Sequence, residues 1–132
     1  MSDQNYPTSG PDGTVPVNDA ITWAANWRTY LAASGQAFNV QLFDIPIVDF
    51  SNILLHNPDA ESVRAYIGLD SATDPATAKL LLVPVVDGQD VLHIDTLSNG
   101  GLPGGSISNV YDLTAACPPN CILANLDSPL YG

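Results

Sequence analysis

The chain has 132 residues, 45% of them apolar, and carries 14 acids against three basic side chains (Arg28, Arg64 and Lys79), a formal net charge of −11. That length and apolar share predict one domain whose core needs no metal or disulfide as a staple, and they exclude a disordered chain. The negative field argues against nucleic-acid binding, which needs clustered Lys and Arg, and the longest apolar run, Leu80 to Val86, is too short for membrane insertion.

All but one of the acids are Asp, Glu61 being the exception. Asp suits caps and turns because its short side chain bonds nearby backbone N–H groups, so the charge is expected in loops and helix is expected to be a minority. The first residues, Met1 to Pro7, show neither a basic start nor an apolar stretch, so no secretory signal is legible. The default expectation is a cytoplasmic protein with reduced cysteines, with signal-less export as the alternative. An Asp-rich surface equally fits a salty habitat.

Residues 1–17, with Pro7, Pro11 and Pro16, read as a flexible arm that folds only when docked, or that is exchanged with a neighbouring copy. Tyr6 and Pro7 are its candidate contact residues. Residues 18–132 form the single domain. A helix is predicted over Asp19 to Ala33, capped by Asn18 or Asp19 and stopped by Gly35. Ala20, Trp23, Ala24, Trp27 and Leu31 recur at helical spacing, and the Trp pair reads as a core anchor or, if exposed, as a binding face. Arg28, beside that face, is expected to pair with an acid.

Phe38 to Phe43 alternates as a strand, and Asp44 and Pro46 open a short helix ending at His56, with Ile47, Phe50, Ile53 and Leu54 on one side. Val63, Ala65, Ile67 and Leu69 alternate with Arg64, Tyr66 and Gly68, a half-buried strand. Lys79 to Val86 reads as a strand buried on both faces, with Pro84 suggesting an edge or a bulge. Asp87-Gly88 is a hairpin turn from which Val91 to Ile94 returns. Residues 97–108 are Gly- and Ser-rich and read as a loop, and Asn109 to Leu113 as a last strand. The order predicts an α+β domain: an antiparallel sheet of four to five strands with two helices packed on one face.

The segment Cys117-Pro-Pro-Asn-Cys121 is a stiff turn, since two prolines fix their own dihedrals and remove two donors. Three readings fit it. The plainest is free thiols held in a turn; the second is a local disulfide. The third is half of a zinc site completed by His56 and His93, which supplies the right ligand types at an unhelpful spacing. Redox catalysis is disfavoured because the spacing is not Cys-x-x-Cys and no helix follows. Asp70 with Asp74, and Asp87 with Asp90, offer hard oxygen ligands for calcium, but they stand where turns want Asp and match no EF-hand loop. No hydrolase or phosphate-loop motif is present, so no catalytic residue and no cofactor are expected.

Asn26-Trp-Arg-Thr-Tyr30, Val63-Arg-Ala-Tyr-Ile-Gly-Leu-Asp70, Lys79-Leu-Leu-Leu-Val83, Tyr111-Asp-Leu-Thr114, the Cys-Pro-Pro-Asn-Cys turn and Ser128-Pro-Leu130 follow one another in an order and spacing that resemble a family of small uncharacterised proteins of Bacteroidota-type bacteria. Those relatives often carry Pro where Ala116 stands here. The resemblance implies one compact domain in which Arg28, Arg64, Tyr66 and the Cys turn belong to a shared framework, and it implies no activity. Together these features predict a non-enzymatic structural or protein-interaction module that self-associates, with a ring or filament as possible products. The alternative is a small zinc-binding protein using the Cys117/Cys121 turn.

Overall fold

A computed structural model of the chain describes residues 8, 10–97, 103–112, 115–121 and 127–131, and its fold is α+β. Helix α1 (Val17–Ser34) ends at Gly35, whose φ of 66° is the left-handed geometry that glycine adopts without a Cβ clash. Its start precedes the expected cap. The Ala20 N–H already reaches the Pro16 carbonyl at 3.1 Å, which places Asn18 and Asp19 inside the first turn. There the Asp19 carboxylate complements the helix dipole without bonding the backbone.

Strand β1 (Leu42–Asp44) is shorter than the alternation from Phe38 suggests. A ladder lasts only as long as its partner, and β7 (Ala115–Cys117), paired antiparallel from Leu42–Cys117 to Asp44–Ala115, runs straight into two prolines that have no N–H to give. Phe38 and Val40 serve the core instead: buried Val40, Ala78 and Ala116 form a cluster against which Phe38 and Phe43 pack. Helix α2 (Ile47–His56) runs between Pro46 and Asn57, as read from the sequence.

Strands β2 (Ser62–Leu69) and β3 (Ala78–Val86) pair antiparallel along their whole lengths, from Ser62–Val85 to Leu69–Ala78. Asp87 (φ 52°) and Gly88 (φ 76°) then make the primed hairpin turn that Asp-Gly favours, leading into β4 (Gln89–Asp90). In β3, Leu82 exchanges both backbone bonds with Tyr111, at 2.9 and 3.0 Å, on the side away from β2. Backbone groups alternate sides along a strand, so the N–H that Pro84 lacks would face that same side. Only the Pro84 carbonyl is used there, accepting from Val91 N–H at 2.9 Å. The proline thus sits buried inside a paired strand at a point where no donor is required.

The stretch expected to be loop contains a strand: β6 (Pro103–Ser108) pairs antiparallel with β5 (His93–Leu97), with an irregularity between Asp95 and Leu97. Gly-rich composition hid it, because Pro103-Gly-Gly-Ser offers no alternation to read. Of the expected last strand, residues 109–112 are described and contribute the bridge at Tyr111, while Leu113 lies outside the described residues. The α+β class therefore holds, while the described strands are distributed over three small antiparallel sheets (β1–β7, β2–β3–β4 and β5–β6) in place of one sheet of four to five.

A buried amide pair joins these parts. Asn57, just past α2, donates from Nδ2 to Asn109 Oδ1 (3.1 Å) and to the Ile53 carbonyl (3.1 Å). Asn109, with no exposed surface, donates from Nδ2 to Asn57 Oδ1 (2.8 Å) and to the Val91 carbonyl (2.9 Å), and the Tyr111 hydroxyl donates to Asn109 Oδ1 (2.7 Å). Each amide satisfies the other, as buried polar groups require.

Candidate interaction site

Strand β2 is the edge of its sheet, and among the described residues it pairs with β3 alone. Because Leu82 and Pro84 turn their backbone groups away from β2, Arg64 and Tyr66 point theirs toward β3. Val63, Ala65 and Ile67 therefore turn theirs outward. None of the strand is buried, contrary to the half-buried expectation: Val63 and Leu69 are exposed and Ile67 is 66% exposed. The alternation holds, but among the described residues no element covers the apolar face that it defines.

On the opposite face Arg64 and Tyr66 reach across β3 to Asp90. Arg64 Nη1 lies 2.7 Å from Asp90 Oδ1, Arg64 Nη2 donates to the Gly88 carbonyl at 3.3 Å, and the Tyr66 hydroxyl donates to Asp90 Oδ2. Glu61 Oε1 completes the clamp by accepting from Gly88 N–H at 2.7 Å. The Tyr66 hydroxyl, followed by the Arg64 guanidinium, holds the Asp90 carboxyl below its ordinary range. The same bond to Asp90 raises the Tyr66 phenol, and Asp90 with Tyr66 raises Arg64. Of the turn carboxylates considered for calcium, Asp90 is thus engaged by Arg64, and Asp74 caps the turn Pro75–Thr77 by accepting from Ala76 N–H at 3.0 Å.

Helix α1 presents its aromatics to solvent. Trp23 is 57% exposed, Trp27 and Tyr30 are exposed, and no residue of the helix is buried, so the reading of the Trp pair as a core anchor is corrected. Trp27 is fixed from both ends: its Nε1 donates to the Val40 carbonyl at 2.8 Å, and its ring stacks on Tyr30 with centroids 5.8 Å apart. Tyr30 was not counted on the apolar face, although it follows Trp23 by seven residues and Trp27 by three, at helical spacing. Arg28 donates to the Leu130 carbonyl at 2.8 Å, a backbone oxygen in place of the expected acid. Between α1, β1 and the end of the chain lies a cleft of ≈ 570 Å³, lined by Trp23, Leu42, Phe43, Asn120, Leu130 and Tyr131 among others.

The thiols beside this cleft are joined as a disulfide, Cys117–Cys121, with Cα atoms 4.7 Å apart, within bridging range. This corrects the expectation of free thiols: the Pro-Pro-Asn turn, closed by Asn120 N–H to the Ala116 carbonyl (2.7 Å), brings the two chain positions together. Cys117 is fully buried, and the Tyr131 hydroxyl approaches both sulfurs, at 3.9 and 3.8 Å. His56 is exposed in the last turn of α2 and His93 is exposed in β5, so the sulfurs are bonded to one another while the histidines stand on separate elements. Among the described residues no group of three or more His, Cys, Asp or Glu is placed to hold a metal.

Helix α2 also exposes large apolar side chains. Ile47, Leu54 and Leu55 are 74%, 70% and 72% exposed, while Ile53 and Asp49 face inward. The buried Asp49 Oδ2 has no hydrogen-bond partner among the described residues. Tyr6 and Pro7 lie outside the described residues. Among the described residues no helix is long and apolar enough to cross a membrane. No family model, no curated protein and no solved structure matches the chain.

Proposed function

We propose that the chain is a non-enzymatic structural module that binds further copies of itself. The observation that carries this reading is the exposure of large apolar side chains on three elements: Trp23 and Trp27 on α1, Ile47, Leu54 and Leu55 on α2, and Val63, Ile67 and Leu69 on β2. Scattered apolar residues are normal on a surface, but helical and strand faces left open in this way mark surfaces that are covered in use. A net charge of −11 keeps separate copies soluble until specific contacts form. Heterologous contacts between such faces generate rings or filaments, and isologous ones generate dimers.

The alternative, zinc binding by Cys117, Cys121, His56 and His93, draws less support, since the sulfurs are bonded to each other. That disulfide favours a working environment in which disulfides persist, outside a reducing cytoplasm. Sedimentation velocity of the full chain over a wide concentration range tests the proposal. Species larger than one chain, growing with concentration, support it, and a single monomeric boundary throughout overturns it.

A further inference from the structure

We propose that the outer edge of β2 pairs antiparallel with β2 of a second copy, across a two-fold axis at Ala65. The inference rests on the self-association proposed above and specifies its geometry. Three features of the strand point to this occupant.

The edge is unprotected. Natural edge strands are blunted by Lys, Pro, bulges or shortness, whereas Ser62–Leu69 contains no Lys or Pro and pairs with β3 in an unbroken register. Its outward backbone groups, those of Val63, Ala65 and Ile67, form a template for strand addition.

The edge is also free of the charge that would repel a copy. The chain carries 14 acids, yet none lies in residues 62–69. The one charge there, Arg64, is held by Asp90 on its own protomer. A second copy of an acidic protein meets less repulsion here than along the Asp-bearing turns.

Finally, the strand is complementary to itself. With Ala65 opposite Ala65, Val63 faces Ile67 and Ile67 faces Val63, each pair exchanging two backbone bonds. These apolar side chains share the exposed face, so pairing covers them. On the other face Arg64 meets the partner's Tyr66, a cation against an aromatic ring, and Ser62 meets Gly68. Sliding the pairing so that Arg64 becomes the axis sets two guanidinium groups against each other, a like-charge pair that cross-strand neighbours disfavour. Sliding it the other way, with Tyr66 at the axis, sets Arg64 against Gly68 and loses its aromatic partner. The outcome is a continuous sheet running β4–β3–β2–β2–β3–β4 through the dimer.

The test combines edge variants with cross-linking of the full chain. Ala65→Pro removes an outward N–H and spares the β2–β3 ladder, the one place where an edge strand tolerates proline. Ile67→Lys adds a charge at an exposed position as a second, gentler block. Both are expected to weaken dimerisation roughly ten-fold or more, the worth of a cross-strand hydrogen bond with its packing, with circular dichroism unchanged. Under mild oxidation Ala65→Cys is expected to form a covalent dimer. Val63→Cys alone is not, but an equimolar mixture of Val63→Cys and Ile67→Cys is. Multimers that persist in both edge variants, with no Ala65→Cys dimer, overturn the edge pairing and leave self-association standing. A wild-type chain that stays monomeric throughout overturns both.

Discussion

Replacing Asn109 by Ala removes the centre of the buried amide pair and exposes how the fold is joined. Asn109 is fully buried, and its side chain bonds Asn57, the Val91 carbonyl and the Tyr111 hydroxyl. Truncation leaves Asn57 Oδ1 and the Val91 carbonyl without a donor, while the half-buried Tyr111 hydroxyl can turn to water. An unsatisfied buried polar group costs about 1–3 kcal/mol, so the variant is expected to lose about 3 kcal/mol. Urea unfolding at fixed protein concentration reads this as a lower midpoint at unchanged slope. Asn57→Ala is expected to cost a similar amount. The double variant should cost less than the sum by about 1–2 kcal/mol, because each amide is left unpaired only while the other remains. A loss below about 1 kcal/mol for Asn109→Ala, or strict additivity in the cycle, would refute the mutual satisfaction inferred from the geometry.

Other perturbations follow the same logic. In Tyr66→Phe the Asp90 carboxyl, held down first by the Tyr66 hydroxyl, is expected to rise toward its ordinary range. Because its folded value is depressed, the stability that it contributes is present above the unfolded carboxylate pKa and is lost as pH falls through the folded one. An NMR titration that finds Asp90 unmoved in the variant would contradict the clamp. Intact mass is expected to be two protons below the fully reduced chain, and replacing Cys117 and Cys121 together by Ser should cost about 2 kcal/mol in urea unfolding, the loop-closure value for so short a ring. Wild-type mass at the fully reduced value would remove the disulfide from the account. Association is expected to strengthen as salt is raised, since screening relieves repulsion between chains of charge −11 while apolar contacts remain. Light scattering that falls steadily with salt would point instead to charge-paired contacts.

Much of the local structure was legible because local chemistry determines it. Gly35 stops α1 and Asp87-Gly88 turns β3 into β4, each through a backbone conformation that glycine adopts freely. The β2 alternation was also readable from spacing, whereas of the α2 side read as apolar only Ile53 is buried, with Asp49 beside it. What escaped depends on partners distant in the chain. The length of β1 is limited by β7, and β6 exists because β5 supplies its ladder. The Asn57–Asn109 pair spans the domain with no sequence signal beyond two ordinary loop residues. Exposure was the hardest property to read: an apolar stripe looks the same whether its own chain covers it or another does, and so Trp23 and Ile67 were expected indoors. The Arg64–Tyr66–Asp90 clamp lay half in view, with Arg64 and Tyr66 on one strand face and Asp90 read only as a turn carboxylate.

Native mass spectrometry of the full chain, purified without chelator or reductant, tests self-association most directly. The account predicts multiples of the chain mass, metal-free, in which each copy is two protons below its fully reduced mass. A monomer under all conditions, or a monomer carrying one zinc, would contradict it, and the second result would transfer the functional role to the Cys117–Cys121 turn.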